Sequence, residues 1–240
     1  MSIAPLQPQI PTRSSPARSA PPLENGDRLT RAEFERRYSA MPQVKKAELI
    51  EGIVYMPSPV RFVQHGRPHA LLLTWLGYYV AKTPGLTDFA DNATLRLDDE
   101  NEPQPDLLLR LPERIGGRSI ISEDGYLQGP VEFVAEVAAS SVSLDMHRKL
   151  DTYLRHGVRE YLVWRVDDLA VDWFALRGGL YESLRPDDEG LLRSEIFPGL
   201  GLDPAALLRG NLPRLFQVVD AGAASPEHAA FVERLAKSVS

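Results

Sequence analysis

A chain of 240 residues has room for one domain of moderate size with tails, and 43% hydrophobic residues are enough for a core. The absence of cysteine excludes disulfides, thiolate metal sites, iron–sulfur clusters and a cysteine nucleophile. A formal net charge of −6 argues against coating nucleic acid through bulk electrostatics, although a local basic rim can coexist with an acidic whole.

Met1 to about Gly26 is rich in Pro, Ser and Arg and reads as a disordered leader; a transit peptide is the rival reading. No apolar run approaches a membrane span and no apolar signal core opens the chain, so a cytoplasmic protein without membrane contact is expected. Thr30 can cap a short helix from Arg31 to about Ser39. Ala47–Met56 surrounds Glu51-Gly52 with apolar residues and reads as a tight hairpin. Gln64 to about Lys82 is apolar over much of its surface and predicts a well-buried helix, ended by Pro84-Gly85.

Short strands are expected at Thr87–Ala90 and Ala93–Leu97, then an acidic loop and a strand at Asp106–Leu111. Pro112–Gly129 looks irregular. Val131–Val137 is a near-continuous apolar run, which reads as a strand buried on both faces. A helix capped by Ser141 or Ser143 runs to about His156, and Gly157 stops it. Strands at Arg159–Val166 and Ala170–Leu176 follow, then a weaker hairpin pair at Leu180–Leu184 and Leu191–Ile196. Ala221–Ser225 reads as a small-residue linker and Pro226–Ser240 as a surface helix. The division is a leader at 1–27, a domain at 28–210 and a C-terminal helical extension at 211–240, with a mixed sheet flanked by helices.

Three residues carry candidate chemistry. Pro105 fixes where a strand begins and leaves Asp106 at its end, where a carboxylate can reach a cleft. A loop aspartate bonding its own backbone is the plainer alternative. Glu136 lies inside the apolar run, where an ionised carboxylate is costly without a cation or a paired donor. A metal ligand and a salt bridge to a buried Arg or Lys are both open for it. Glu132, at the strand start, is expected in solvent.

Lys149 falls just outside the stripe formed by Met146, Leu150, Tyr153 and Leu154, so it can bury its stem and send its ammonium toward the strand ends. A surface ion pair with Asp145, four residues earlier, is the alternative. Glu48 can point inward from the first hairpin as a third carboxylate, whereas Glu51 sits at the turn. His65 can touch a phosphate or a metal-bound water. Arg61, Arg67, Arg148 and Arg155 are candidate contacts to a nucleic-acid backbone.

Glu48-Leu-Ile-Glu-Gly-Ile-Val-Tyr-Met-Pro57, His65, Pro105-Asp106 and Phe133-Val-Ala-Glu-Val137 together resemble the Uma2 family of restriction-endonuclease-like proteins. Ser143-Leu-Asp145, Lys149, Tyr153, Gly157-Val158 and Glu160-Tyr-Leu-Val163 continue the resemblance, which spans residues 28–205. It implies an α/β fold like that of the PD-(D/E)XK nucleases, with a central mixed sheet flanked by helices. It also implies a catalytic set of Asp106, Glu136, Lys149 and Glu48. Asp106, Glu136 and Glu48 would hold Mg²⁺ or Mn²⁺, and Lys149 would assist the attacking water. Ala138 stands where the superfamily motif has its lysine; the resemblance implies that the lysine comes instead from the following helix, where Lys149 lies. The implied activity is DNA phosphodiester hydrolysis, with a homodimer as one arrangement for cutting both strands. A nuclease-like fold that binds nucleic acid or protein without cutting is the alternative, and structured RNA is a third candidate substrate.

Overall fold

The computed structural model describes residues 20–57 and 59–237. Met1–Ser19, most of the expected leader, lie outside the described residues. The leader reading ends earlier than Gly26: Leu23 is buried beside Phe34, Leu49 and Val54, and Gly26 N donates to Val54 O at 2.8 Å. An apolar side chain with a pocket to fill outweighs the polar composition around it.

Helix α1 (Arg31–Ser39) is followed by the hairpin β1 (Glu48–Ile50) and β2 (Ile53–Tyr55). Glu51 and Gly52, at φ 54° and 71°, form the left-handed turn that the twist of a two-residue hairpin requires. The long helix opens as a wide π turn at Phe62–Gly66 before α2 (Arg67–Lys82). Next come β3 (Phe89–Asp91), β4 (Leu95–Arg96) and β5 (Leu107–Leu109), then the small strands β6 (Ile120–Ile121) and β7 (Leu127–Gln128). Strand β8 (Phe133–Ala138) leads through a second π turn, Leu144–Lys149, into α3 (Leu150–His156) and β9 (Glu160–Arg165). The chain ends with β10 (Ala170–Arg177), β11 (Leu180–Ser183), β12 (Leu192–Arg193), β13 (Gly201–Leu202), α4 (Pro204–Leu208), α5 (Leu212–Ala223) and α6 (Pro226–Lys237).

The main sheet has the order β11-β10-β9-β8-β5-β3. Only β8 and β9 are parallel, joined by the α3 crossover; the other pairs are antiparallel. Alternation along β8 divides its side chains. Phe133, Ala135 and Val137 join Trp75, Trp173 and Phe197 under α2 and the C-terminal helices. Val134 and Ala138 join Tyr153, Tyr161 and Val163 under α3. A fully buried large apolar side chain contributes about 1.5–3 kcal/mol, so these two layers hold the strand ends rigidly.

Several expectations fail for local reasons: Thr30 and Ser143 stand at helix starts without a side-chain capping bond, Ser141 Oγ bonds Asp145 instead, and β6 and β7 lie within the segment 112–129 expected to be irregular. The Leu180–Leu184 and Leu191–Ile196 segments do not pair with each other. Gly178-Gly179, at φ 56° and 84°, turn β10 directly into β11, and β12 pairs with β13 instead. Ala221–Ser225 is not a linker but largely the end of α5. Its small residues allow close approach: a Cβ on Gly222 would lie 2.2 Å from Gly199 O. Helix α6 inserts Phe231 and Leu235 into the main core, leaving its other face exposed.

Candidate active site

The register of β5 and β8 aligns Leu107 with Ala135 and Leu108 with Val134. Continued by one residue, it sets Asp106 opposite Glu136, on the α3 face of the sheet. Asp106 N lies 3.4 Å from Glu136 Oε2, and Val137 N donates to Asp106 Oδ2 at 2.9 Å. Both side chains are almost fully buried. The two carboxylates predicted from distant segments are thus neighbours.

Lys149 meets them from the π turn before α3. Its Nζ lies 3.0 Å from Glu136 Oε1, 2.9 Å from Glu48 Oε1 and 3.6 Å from Asp145 Oδ1. Tyr153 OH donates to the same Glu136 oxygen at 3.2 Å, and Gln104 N donates to Glu48 Oε1 at 2.7 Å. The Asp145–Lys149 pair exists, yet it is buried rather than on the surface, because the widened turn points both side chains inward. Glu48 does point inward as expected, but the Lys149 ammonium stands between it and Glu136.

A second amine, not singled out by the sequence, reaches Asp106. Lys46 Nζ is 3.1 Å from Asp106 Oδ1 and 2.9 Å from Asn92 Oδ1. His65 approaches the same Asp106 oxygen with Nε2 at 3.6 Å, while its Nδ1 lies 3.3 Å from Val137 O. His69 stacks on His65 and places Nε2 between Asp106 O and Asp91 Oδ1. Two signals for these residues were present: Lys46 is two residues from Glu48, hence on its side of an extended chain, and His69 is one helical turn from His65. The turn carrying His65 also exposes Val60, Phe62 and Val63.

These surroundings set the charges. Burial alone would raise Asp106, but Lys46, His65 and the Val137 N–H outweigh it and hold the carboxyl below its usual range. Burial pushes Glu136 up to about 8, with Lys149 opposing. Burial likewise raises Asp145 despite Lys149. For Lys149 burial would lower the pKa, yet Glu136, Glu48 and Asp145 lift it well above the ordinary lysine value. Neighbouring acids held in opposite directions are a common arrangement for divided chemical roles.

Among the described residues, no three His, Asp or Glu side chains form a ready-made metal cage. The donor chemistry nevertheless fits a hard dication: Asp106 and Glu136 offer carboxylate oxygens from adjacent strands. Glu48, Glu136 and Asp145 when ionised also exceed the single charge of Lys149 by two.

Other candidates lie elsewhere. Glu51 binds Arg148 and Arg155 on the surface, each at 2.9–3.0 Å, so these two arginines are engaged within the protein. Arg61 and Arg67 are exposed. Glu132 is fully buried rather than in solvent, because the chain folds back over the start of β8 and Leu111 N donates to its Oε2 at 2.7 Å.

A mixed sheet flanked by helices, with Asp106 at the start of one strand and Glu136 within its neighbour, is a restriction-endonuclease-like α/β fold. A solved structure from Anabaena variabilis, titled a "putative nuclease belonging to DUF820", shares the fold at TM-score 0.52 and 16% identity, covering 73% of this chain and 97% of that one. The chain belongs to the Uma2 family, described as "Putative restriction endonuclease", whose model matches residues 31–205. No curated protein matches it. Among the described residues no helix is long and apolar enough to cross a membrane.

Proposed function

We infer that the protein is a metal-dependent endonuclease hydrolysing DNA phosphodiester bonds at Asp106 and Glu136. The observation that carries this reading is the meeting of these two acids across β5 and β8 beside a buried lysine. Asp106 and Glu136 would hold Mg²⁺, or Mn²⁺ in its place, with Glu48 as a more distant acid. Once bound, the dication supplies an acidified water and offsets charge on the phosphate.

The chain's own groups do the remaining work. The backbone N–H groups of Val137 and Asp106 orient the two carboxylates. Lys149 holds Glu136, Glu48 and Asp145 in one cluster against their mutual repulsion. In the reaction a water oxygen bonds to phosphorus, one P–O ester bond breaks, and the departing oxygen receives a proton.

Plasmid incubated with Mg²⁺ or Mn²⁺ tests the reading. Nicking by the native protein that disappears in both Asp106→Ala and Glu136→Ala supports it; equal nicking by the variants points to a contaminant. The ammonium of Lys149 among the acids favours a second reading, a nuclease-like module that binds without cutting. Salt-sensitive duplex binding with no nicking would establish that one.

A further inference from the structure

We propose that Lys46 is the amine that contacts the scissile phosphate, and that Lys149 touches no substrate but positions the carboxylates. This rests on the nuclease reading above and concerns which cation faces the nucleic acid. An ammonium has three N–H donors. Those of Lys149 face three carboxylates, and its side chain is 3% exposed, as are those of Glu136 and Asp145. Glu136 and Glu48 take two of these donors at 3.0 and 2.9 Å, Asp145 stands at 3.6 Å on the third side, and burial leaves no path to solvent for an incoming anion.

Lys46 is arranged differently. It bonds Asp106 Oδ1 and Asn92 Oδ1, which leaves one donor, and its side chain is 23% exposed. Asn92 is itself exposed, so the Lys46 ammonium lies at the mouth of the cluster rather than within it. His65, 27% exposed, stands on the same Asp106 oxygen from the opposite element, giving the open side of Asp106 a basic rim. A phosphate oxygen approaching Asp106 and Glu136 from solvent meets these groups first. Lys46 precedes β1 by two residues, so the hairpin that buries Glu48 also anchors this amine.

The test measures duplex binding by fluorescence anisotropy across a salt series, with Ca²⁺ replacing Mg²⁺ to prevent cutting. Cleavage in Mg²⁺ and thermal unfolding are followed in parallel for Lys46→Gln, Lys46→Arg and Lys149→Met. Losing one phosphate contact lowers the slope of log K against log salt by about 0.9, a quantity that reports ion release rather than the fraction of folded protein. We expect that decrease in Lys46→Gln, with cleavage reduced about 100-fold. Lys46→Arg should retain the slope, and Lys149→Met should retain it while unfolding at lower temperature.

A native slope and native rate in Lys46→Gln, or a lost phosphate contact in Lys149→Met, would overturn the assignment. If the native protein binds duplex but never cuts, the nuclease reading fails while the slopes still decide what Lys46 touches. If it binds no duplex at all, the Lys46 contact is refuted as well.

Discussion

Lys46 and Lys149 serve the same pair of strands under opposite conditions. Lys149 is enclosed with three carboxylates, a tyrosine hydroxyl and almost no solvent, whereas Lys46 holds Asp106 from a half-open position beside two histidines. The enclosed amine is surrounded by more acid than it can neutralise; the open one has fewer partners than donors. Burial strengthens each Coulomb contact but removes the group from chemistry with anything outside. The contrast is one of solvent access on a single α/β scaffold: one ammonium is closed in among carboxylates and the other is partly open to water.

The most severe disruption removes the acids between the two amines. Asp106→Asn or Glu136→Gln should lower plasmid nicking at least about 100-fold, the scale of losing several kcal/mol of charge stabilisation in the transition state. Gel quantification of the nicked form over time measures this.

Next comes the enclosed side. Lys149→Met leaves buried carboxylates without their counter-charge and should cost about 3–5 kcal/mol in denaturant unfolding. Adding Glu136→Gln should recover part of that loss; no recovery would show that the two groups are not coupled.

A buried acid at the opposite end of β8–β9 separates enclosure from site chemistry. Burial raises the Glu160 carboxyl to about 7, although Ser194 Oγ and the N–H groups of Glu195 and Ile196 oppose the shift. Between its ordinary value of 4.5 and about 7, the folded state binds the extra proton, so stability should fall as pH rises through that window. Glu160→Gln should flatten this part of the profile, measured by unfolding free energy at a series of pH values.

The smallest effect is expected at the surface. Glu51→Asn removes the ion pairs to Arg148 and Arg155 but creates an Asn-Gly turn suited to the observed φ of 54° and 71°. Stability should change by less than about 1 kcal/mol. A larger loss would mean that a half-buried carboxylate at a turn matters as much as the enclosed ones.

Much of this was legible along the chain. Apolar periodicity located the buried helix and the β8 strand, and Glu51-Gly52, Pro105 and Gly157 marked boundaries because each acts on its own backbone. An acid within an apolar run announced Glu136, since an ionised carboxylate there needs a partner wherever the strand lies. The small residues near Gly222 misled because close approach to Gly199 and a flexible linker share one composition.

Local sequence therefore determined the larger helices and strands and marked Glu136 as an acid that requires a counter-charge. Tertiary structure alone decided which lysine is sealed among three carboxylates and which stays open, that Glu132 is buried, and that His65 meets Asp106. Those outcomes depend on distances between elements far apart in sequence, and the cost of an ionised group depends on how much water remains beside it.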